Sequence, residues 1–221
     1  MKYNALKSEK YVYIVFSATN LLMGRMIRFL THNCYNHVSL AFERDLNVMY
    51  SFARYNINSP LVGGFVAEYP SRFSIKNRDV DIKVYKVPLT EQRYEMIEKT
   101  IEFFSQQNNE MIYNTFNAVL SLFHKRIRIH NAYTCVEFIA SVLGFENVIS
   151  IRSLENRLRS YSCYKGKIKN ADGNNTIIDD YLREKNFIRN FIDVCIHFKV
   201  LLERAVKTIN PVLSVNSGMI K

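Results

Sequence analysis

Two short segments with alternating side chains constrain the fold of this chain more than any other feature. Residues 37–42 (HVSLAF) and 48–53 (VMYSFA) alternate apolar with small or polar side chains, a pattern typical of strands with one buried face. Residues 43–47 between them carry Asp and Asn, which favour a turn. The two segments therefore predict a hairpin whose small, polar face carries His37 and Ser51.

The remaining pattern predicts two further strands and mostly helices. Residues 11–16 (YVYIVF) and 81–87 are typical of buried strands. Residues 54–80 contain Pro60, Pro70 and the pair Gly63-Gly64, and are predicted to be irregular. Helical spacing of apolar side chains marks residues 21–30, 90–104, 112–123, 134–144, 153–160, 177–185 and 191–206.

This order of elements predicts an α+β fold in one domain spanning residues 1–221. A small antiparallel sheet is expected to pack against the helix that begins near Cys135. The core is expected over about residues 11–145, with extra C-terminal helices over 146–208 and a loose tail over 209–221.

Net charge and motif content limit the classes of partner and cofactor that the chain is expected to bind. The formal charge of +10 is compatible with nucleic acid or an anionic surface, but the basic residues are spread thinly and the densest cluster, residues 124–128, is short. Zinc-ligand spacing and glycine-rich loops are missing from the sequence. A solvated basic surface is therefore preferred to a nucleic-acid site, and neither metal nor organic cofactor is predicted.

The cysteines and the hydropathy of the sequence indicate the cellular compartment in which the protein is expected. The four cysteines lack CxxC spacing, which favours free thiols in a reducing compartment. Residues 11–23 are too interrupted by Ser, Thr and Asn for a signal peptide, and no stretch is long and apolar enough to span a bilayer. The expectation is a cytoplasmic protein, with peripheral membrane contact left open.

The segment around Cys135 carries the main chemical signal. Thr134 followed three residues later by Glu137 predicts a capping box, which places Cys135 in the first helical turn. Backbone donors and the helix dipole there favour a reactive thiolate and could stabilise an oxyanion. A buried structural cysteine beside an ordinary cap fits the same pattern, so the segment alone leaves both readings open.

A thiolate nucleophile needs a base and a group that orients the base. His37 is the candidate base, because it begins the first hairpin strand on the small, polar face. Ser51 on the partner strand is the candidate orienting residue, Glu43 is a weaker one, and a satisfied sheet serine remains the alternative for Ser51.

Residues 36–40 (NHVSL), the second strand and the distant segment 133–138 (YTCVEF) together resemble the circularly permuted papain-like hydrolases. This group includes permuted NlpC-type bacterial amidases and lecithin–retinol acyltransferase-like enzymes. The resemblance covers about residues 11–145. It implies that His37 matches the base and Cys135 the nucleophile, whereas Ser51 departs from the stronger acceptor of many relatives.

The resemblance implies a thiol-dependent hydrolase or acyl transferase of the cysteine peptidase or amidase type, acting on a peptide, amide or lipid-ester bond. Cys135 would attack the carbonyl, His37 would carry the proton and Ser51 would hold the imidazole. Two alternatives stand beside this expectation. One is a catalytically idle papain-like domain that binds an acidic partner or anionic surface, and the other is a nucleic-acid-binding module.

Overall fold

The computed structural model of the chain describes residues 9–19, 22–73, 79–123, 125–168 and 180–209, which form one mixed eight-stranded sheet and the helices around it. The strands are β1 (Lys10–Ser17), β2 (His37–Ala41), β3 (Met49–Arg54), β4 (Gly63–Glu68), β5 (Val80–Leu89), β6 (Ile112–Tyr113), β7 (Ala132–Tyr133) and β8 (Ser162–Ile168). The helices are α1 (Leu22–Thr31), α2 (Pro70–Phe73), α3 (Glu91–Gln106), α4 (Thr115–Leu120), α5 (Cys135–Leu143), α6 (Ile151–Leu158) and α7 (Phe187–Ile209).

The strand order across the sheet is β7-β6-β4-β3-β2-β1-β5-β8. Neighbouring strands run antiparallel except β6 and β7, which are parallel. The predicted α+β class is therefore confirmed, but the sheet is mixed and larger than the small antiparallel sheet expected from the sequence.

The predicted hairpin lies in the middle of this sheet. β2 and β3 pair antiparallel with Leu40 opposite Tyr50, and β1 lies on the other side of β2 with Val15 opposite Ser39. The strands predicted at residues 11–16 and 81–87 are β1 and β5, and the whole of β1 pairs antiparallel with residues 82–89 of β5.

Alternation along these strands separates two apolar clusters. On one face Val38, Leu40 and Phe52 pack with Phe138 and Ile139 of α5. On the other face Ala41, Met49 and Val84 form a smaller cluster with neighbouring side chains. Because successive side chains of a strand point to opposite faces, His37 and Ser39 lie on the face away from α5.

Three strands lie where the sequence predicted something else. β4 and the short α2 occupy the region 54–80 that was expected to be irregular, and β6 occupies the start of the helix expected over 112–123. Adjacent glycines are typical of turns, but a Cβ on Gly63 would collide with the Ala53 carbonyl oxygen of β3. These glycines therefore allow close approach of backbones within the sheet.

β8 is the third unexpected strand. It lies within the extension that was predicted to be helical, and it pairs antiparallel with β5 along the outer edge of the sheet. Most of its side chains are exposed on both faces, so the sequence carries no apolar alternation that would mark a strand.

The predicted C-terminal helices are partly confirmed. α6 and α7 correspond to the helices predicted at 153–160 and 191–206, whereas residues 180–182 form only a single 3-10 turn. Residues 177–179 and 210–221, including almost all of the predicted tail, lie outside the described residues. Among the helices of the described ranges, none combines the length and hydropathy needed to cross a membrane.

Replacing Phe138 with Ala is expected to lower the free energy of unfolding by about 3–5 kcal/mol. Phe138 is fully buried and its ring contacts those of Phe52, Phe65 and Phe104, so truncation leaves a cavity. Phe103→Ala is the matched control, since Phe103 is 53% exposed on α3, and should cost about 1 kcal/mol or less. Urea denaturation measures both, and equal losses would contradict the packing described.

Candidate active site

Cys135 is the first residue of α5, and the predicted capping box at this helix is confirmed. The Glu137 N–H donates to Thr134 Oγ1 at 3.2 Å, and Glu137 Oε2 accepts from the Thr134 N–H at 2.8 Å. The N–H groups of Cys135 and Val136 lie outside this reciprocal pair, at the positive end of the helix dipole. The Cys135 side chain is buried against the apolar cluster of α5.

His37 is the first residue of β2 and is bound to a carboxylate. Its Nε2 lies 2.8 Å from Oε2 and 3.1 Å from Oε1 of Glu68, the last residue of β4. Both side chains are largely buried, with 12% and 7% of their surface exposed. The imidazole also lies against the Phe73 ring, with the two ring centroids 6.2 Å apart.

Two serines complete the environment of the Glu68 carboxylate. Ser39 on β2 and Ser51 on β3 each donate their hydroxyl to Glu68 Oε2 at 2.6 Å. Since Leu40 lies opposite Tyr50 and Ser51 lies opposite Val66, the register of three neighbouring strands brings both hydroxyls to the same oxygen. Ser39 Oγ also lies 3.2 Å from His37 Nε2.

The pKa values of His37 and Glu68 both differ strongly from the ordinary values of these side chains. Burial alone would lower the pKa of His37, but the Glu68 charge and hydrogen bonds with Cys135 and Glu68 raise it to about 10. Burial alone would raise the pKa of Glu68, but the His37 charge and hydrogen bond, the Arg72 charge and the Ser39 hydroxyl lower it to about 2. At neutral pH the pair is therefore an imidazolium and a carboxylate.

His37 also interacts with Cys135, and the two come from different faces of the sheet. The Cys135 side chain raises the pKa of His37 both as a hydrogen-bond partner and through its charge. Because Nε2 faces Glu68, Nδ1 is the ring nitrogen that remains for Cys135. The imidazole lies on the polar face with Ser39, away from the interface between α5 and the sheet. The contact with Cys135 therefore forms at the rim of the sheet, where β2 begins.

The three predicted site residues are thus brought to one place, but Ser51 contacts Glu68 rather than His37. Glu68 occupies the position beside the imidazole for which Ser51 was the candidate, and sequence reasoning gave it no role. A carboxylate that ends an apolar run such as residues 63–68 is costly to bury without a partner. That mismatch is the signal by which Glu68 could have been found once residues 63–68 were read as a strand.

The other candidate side chains lie elsewhere. Cys34, Cys163 and Cys195 are exposed free thiols, and Glu43 is exposed in the connection between β2 and β3. His197 on α7 is buried, and its Nε2 lies 3.1 Å from the Tyr113 carbonyl oxygen.

Two adjoining clefts flank the Cys135–His37 contact. The first, of about 200 Å³, is lined by His37 and Glu68 together with apolar side chains including Leu61, Val62 and Val119. The second, of about 230 Å³, is lined by Cys135 and Thr134. Both clefts share Asn36, Tyr113, Ala118 and Leu122 as lining residues, so a ligand lying along them would pass the thiol and the imidazole.

Two of the shared lining residues, Asn36 and Tyr113, have polar side chains. Asn36 donates to Thr19 Oγ1 and accepts from the Arg28 guanidinium, both at hydrogen-bonding distance (2.6 and 2.8 Å). Burial raises the pKa of Tyr113, and the charges of Cys135 and Glu137 raise it further. The Tyr113 phenol therefore stays protonated and remains a hydrogen-bond donor beside the thiol.

Comparison of the chain with protein-family profiles, with curated proteins and with solved structures finds no match in any of the three.

The ring-nitrogen NMR shifts of His37 should report a protonated imidazole at about pH 8, well above the range of an ordinary histidine. In a Glu68→Gln variant the charge of Glu68 is lost while burial is unchanged, so the pKa of His37 should fall steeply. His197 provides an internal control, because burial lowers its pKa and its ring should be neutral at the same pH in both proteins. A neutral His37 ring in the unmodified protein would contradict the ion pair.

The pair should also shape the dependence of stability on pH. A raised pKa means that the His37 contribution is fully present below 6.5 and is lost as pH rises toward about 10. A lowered pKa means that the Glu68 contribution is present above 4.5 and is lost as pH falls toward about 2. Relative to a neutral His37→Gln, Glu68→Gln double variant, the free energy of unfolding should therefore peak between these limits. Denaturant titrations across pH measure it, and parallel curves would rule out the pair as a source of stability.

Proposed function

We propose that the protein is a thiol-dependent hydrolase or acyl transferase that acts on an amide, peptide or ester bond, with a permuted papain-like arrangement of its site. The observation that carries the proposal is the position of His37, whose imidazole contacts both Cys135 at a helix start and the buried Glu68 carboxylate. Nucleophile, base and orienting acceptor are the three parts that covalent acyl transfer needs. Along the chain the base comes first, the acceptor second and the nucleophile last, with the acceptor on β4.

Acylation follows from this arrangement. The Cys135 sulfur attacks the substrate carbonyl carbon, a C–S bond forms, and the carbonyl oxygen becomes an oxyanion. The Cys135 N–H at the helix start is one donor for that oxyanion, and the Tyr113 hydroxyl on the shared wall of the clefts is a second. The C–N or C–O bond then breaks as the His37 imidazolium gives its proton to the leaving amine or alcohol.

Deacylation uses the same imidazole as a base. A thioester at Cys135 carries no charge and cannot act on His37 as a thiolate does, so one influence that raises the pKa of His37 is removed. The imidazole can then take a proton from water, or from an acceptor alcohol or amine, as that oxygen or nitrogen attacks the thioester carbonyl carbon. The new C–O or C–N bond forms, the C–S bond breaks, and the Cys135 sulfur leaves as a thiolate beside the protonated imidazole, which restores the starting state. Glu68 stays ionised throughout and holds the ring in one orientation.

The walls of the clefts favour a substrate with an apolar portion beside the scissile carbonyl. Leu61, Val62, Val119 and Leu122 line the cleft that contains His37. Arg54 also lines this cleft, close to the Tyr181 ring. An acyl group or side chain that is apolar along most of its length fits these surroundings best.

The alternative of a catalytically idle binding domain rested on the net charge of +10 and on a weak orienting group. A lone serine beside the imidazole would hold its orientation poorly, whereas the Glu68 carboxylate, held by Ser39 and Ser51, is a strong acceptor. Glu68 therefore favours the enzyme over the idle domain.

An activated acyl ester should acylate the intact protein, and mass spectrometry should find one acyl group on Cys135. Cys135→Ala should abolish this adduct, while Cys163→Ala, a matched loss of an exposed thiol, should leave it unchanged. Glu68→Gln should slow turnover by about 100-fold or more, because the imidazole loses its orienting charge. An adduct that persists in Cys135→Ala, or no adduct with any acyl ester or amide tried, would favour the binding domain.

A further inference from the structure

The longest helix of the described residues, α7, leaves a large apolar surface exposed. We call the α7 stripe the side chains Phe187, Ile188, Phe191, Ile192, Ile196 and Leu202, each of them between 50% and 82% exposed. Phe187 and Phe191 are four residues apart, as are Ile188, Ile192 and Ile196, so these side chains lie on one side of the helix together with Leu202. Val206 and Ile209 extend the stripe to the end of α7, at 43% and 69% exposed.

The stripe is not the face by which α7 packs on the domain. His197, Leu201 and Ala205 form that face, and the last two pack with Ile112 and Ala132 of the small β6–β7 pair. The buried side of α7 is therefore sufficient to hold the helix on the domain, and this packing does not explain why the α7 stripe is apolar. Exposed apolar surfaces of this extent mark interaction sites.

The apolar surface continues from α7 to the rim of the candidate active site. Phe198 on α7 contacts Phe116 on α4, with ring centroids 6.0 Å apart. One turn further along α4, Val119 is 56% exposed, and it lines the cleft that contains His37. Phe123, just beyond α4, is 68% exposed.

Charges around the stripe indicate the chemistry of its partner. α7 carries four basic residues (Arg189, Lys199, Arg204, Lys207) and two acidic ones (Asp193, Glu203), and Asp193 is paired with Lys185. Arg189, Lys199 and Lys207 are exposed beside the apolar side chains. With a net charge of +10 for the whole chain, an anionic partner is favoured by long-range attraction.

We propose that the α7 stripe binds the surface of an anionic lipid bilayer, with α7 lying in the plane of the interface. An apolar face flanked by Lys and Arg is what such a helix needs, because the apolar side chains enter the acyl boundary while the cations meet anionic headgroups. At about 1.5 Å per residue, 23 residues give roughly 35 Å of contact along the membrane. The rim of the cleft at Val119 then lies next to the lipid surface.

Co-sedimentation of the full chain with vesicles tests this. The protein should bind vesicles of phosphatidylcholine mixed with phosphatidylglycerol and bind vesicles of phosphatidylcholine alone much more weakly. The triple variant Phe191→Ser, Ile192→Ser, Ile196→Ser should weaken binding by about 1,000-fold or more, since each lost apolar side chain is worth about tenfold or more. The double variant Lys199→Glu, Lys207→Glu should weaken binding to the anionic vesicles by about tenfold or more.

Matched variants on α3 control for general loss of exposed apolar or basic residues. Met96→Ser with Phe103→Ser removes two exposed apolar side chains, and Lys99→Glu reverses one exposed charge; both should bind vesicles as the unmodified protein does. The proposal fails if neither vesicle binds, or if the stripe variants bind like the α3 variants. It also fails if the stripe variants convert a dimer to a monomer in sedimentation velocity without changing vesicle binding, because a second copy would then occupy the stripe. None of these readouts depends on catalysis.

Discussion

The buried ion pair of His37 and Glu68 is the interaction on which the organisation of the central sheet depends. An uncompensated buried charge costs several kcal/mol, so a carboxylate at the end of β4 is tolerated only when its partners are in place. Its imidazole and its two hydroxyl donors come from β2 and β3. A slip of one residue between any two of these strands would turn Ser39, Ser51 or Glu68 to the opposite face. The polar network and the strand register therefore specify each other.

The sheet keeps two incompatible environments apart. Its helix-covered face is a dense aromatic cluster in which Phe52, Phe65 and Phe138 contact one another, and charge would be expensive there. The polar network lies on the other face, where Ser and Ala leave room for it. Cys135 lies in the apolar cluster on the helix-covered face, and His37 lies on the polar face. Their contact therefore forms at the rim of the sheet, where β2 begins. A reactive pair can arise at that rim without disturbing either core.

The parts of the fold that the sequence predicted are those with a visible apolar run or period. β1 is a continuous apolar run, the β2–β3 hairpin and β5 alternate, and α3 and α5 repeat at helical spacing; the capping box at Thr134 is a local interaction. β4, β6 and β8 were missed for different reasons. β4 uses glycine for close backbone contact, β6 is two residues long, and β8 is exposed on both faces.

The same distinction applies to the site. Cys135 and His37 could be named because each begins a regular element, and their local patterns are informative. The partnership of His37 with Glu68 joins residues 31 positions apart, and it depends on a strand that has no clear period. Ser51 was placed on the correct face, since alternation fixes the face. Which acceptor on that face is nearest to the imidazole depends on the third strand, and a two-strand pattern holds no information about it.

The position of β8 bears on how this sheet avoids self-association. Without β8, the ten residues of β5 would present a long open edge with Val80, Ile82 and Val84 along it, and such an edge is a template for pairing with another chain. β8 covers it and replaces it with an edge that carries Lys165 and Lys167, whose charges oppose the approach of a second strand. The opposite edge is β7, and a strand of two residues is too short to pair stably with a strand of another chain. The polar residues of β8 thus disfavour pairing of this edge with another chain. The same polar residues lack the apolar alternation from which a strand is predicted, which is why β8 was missed in the sequence.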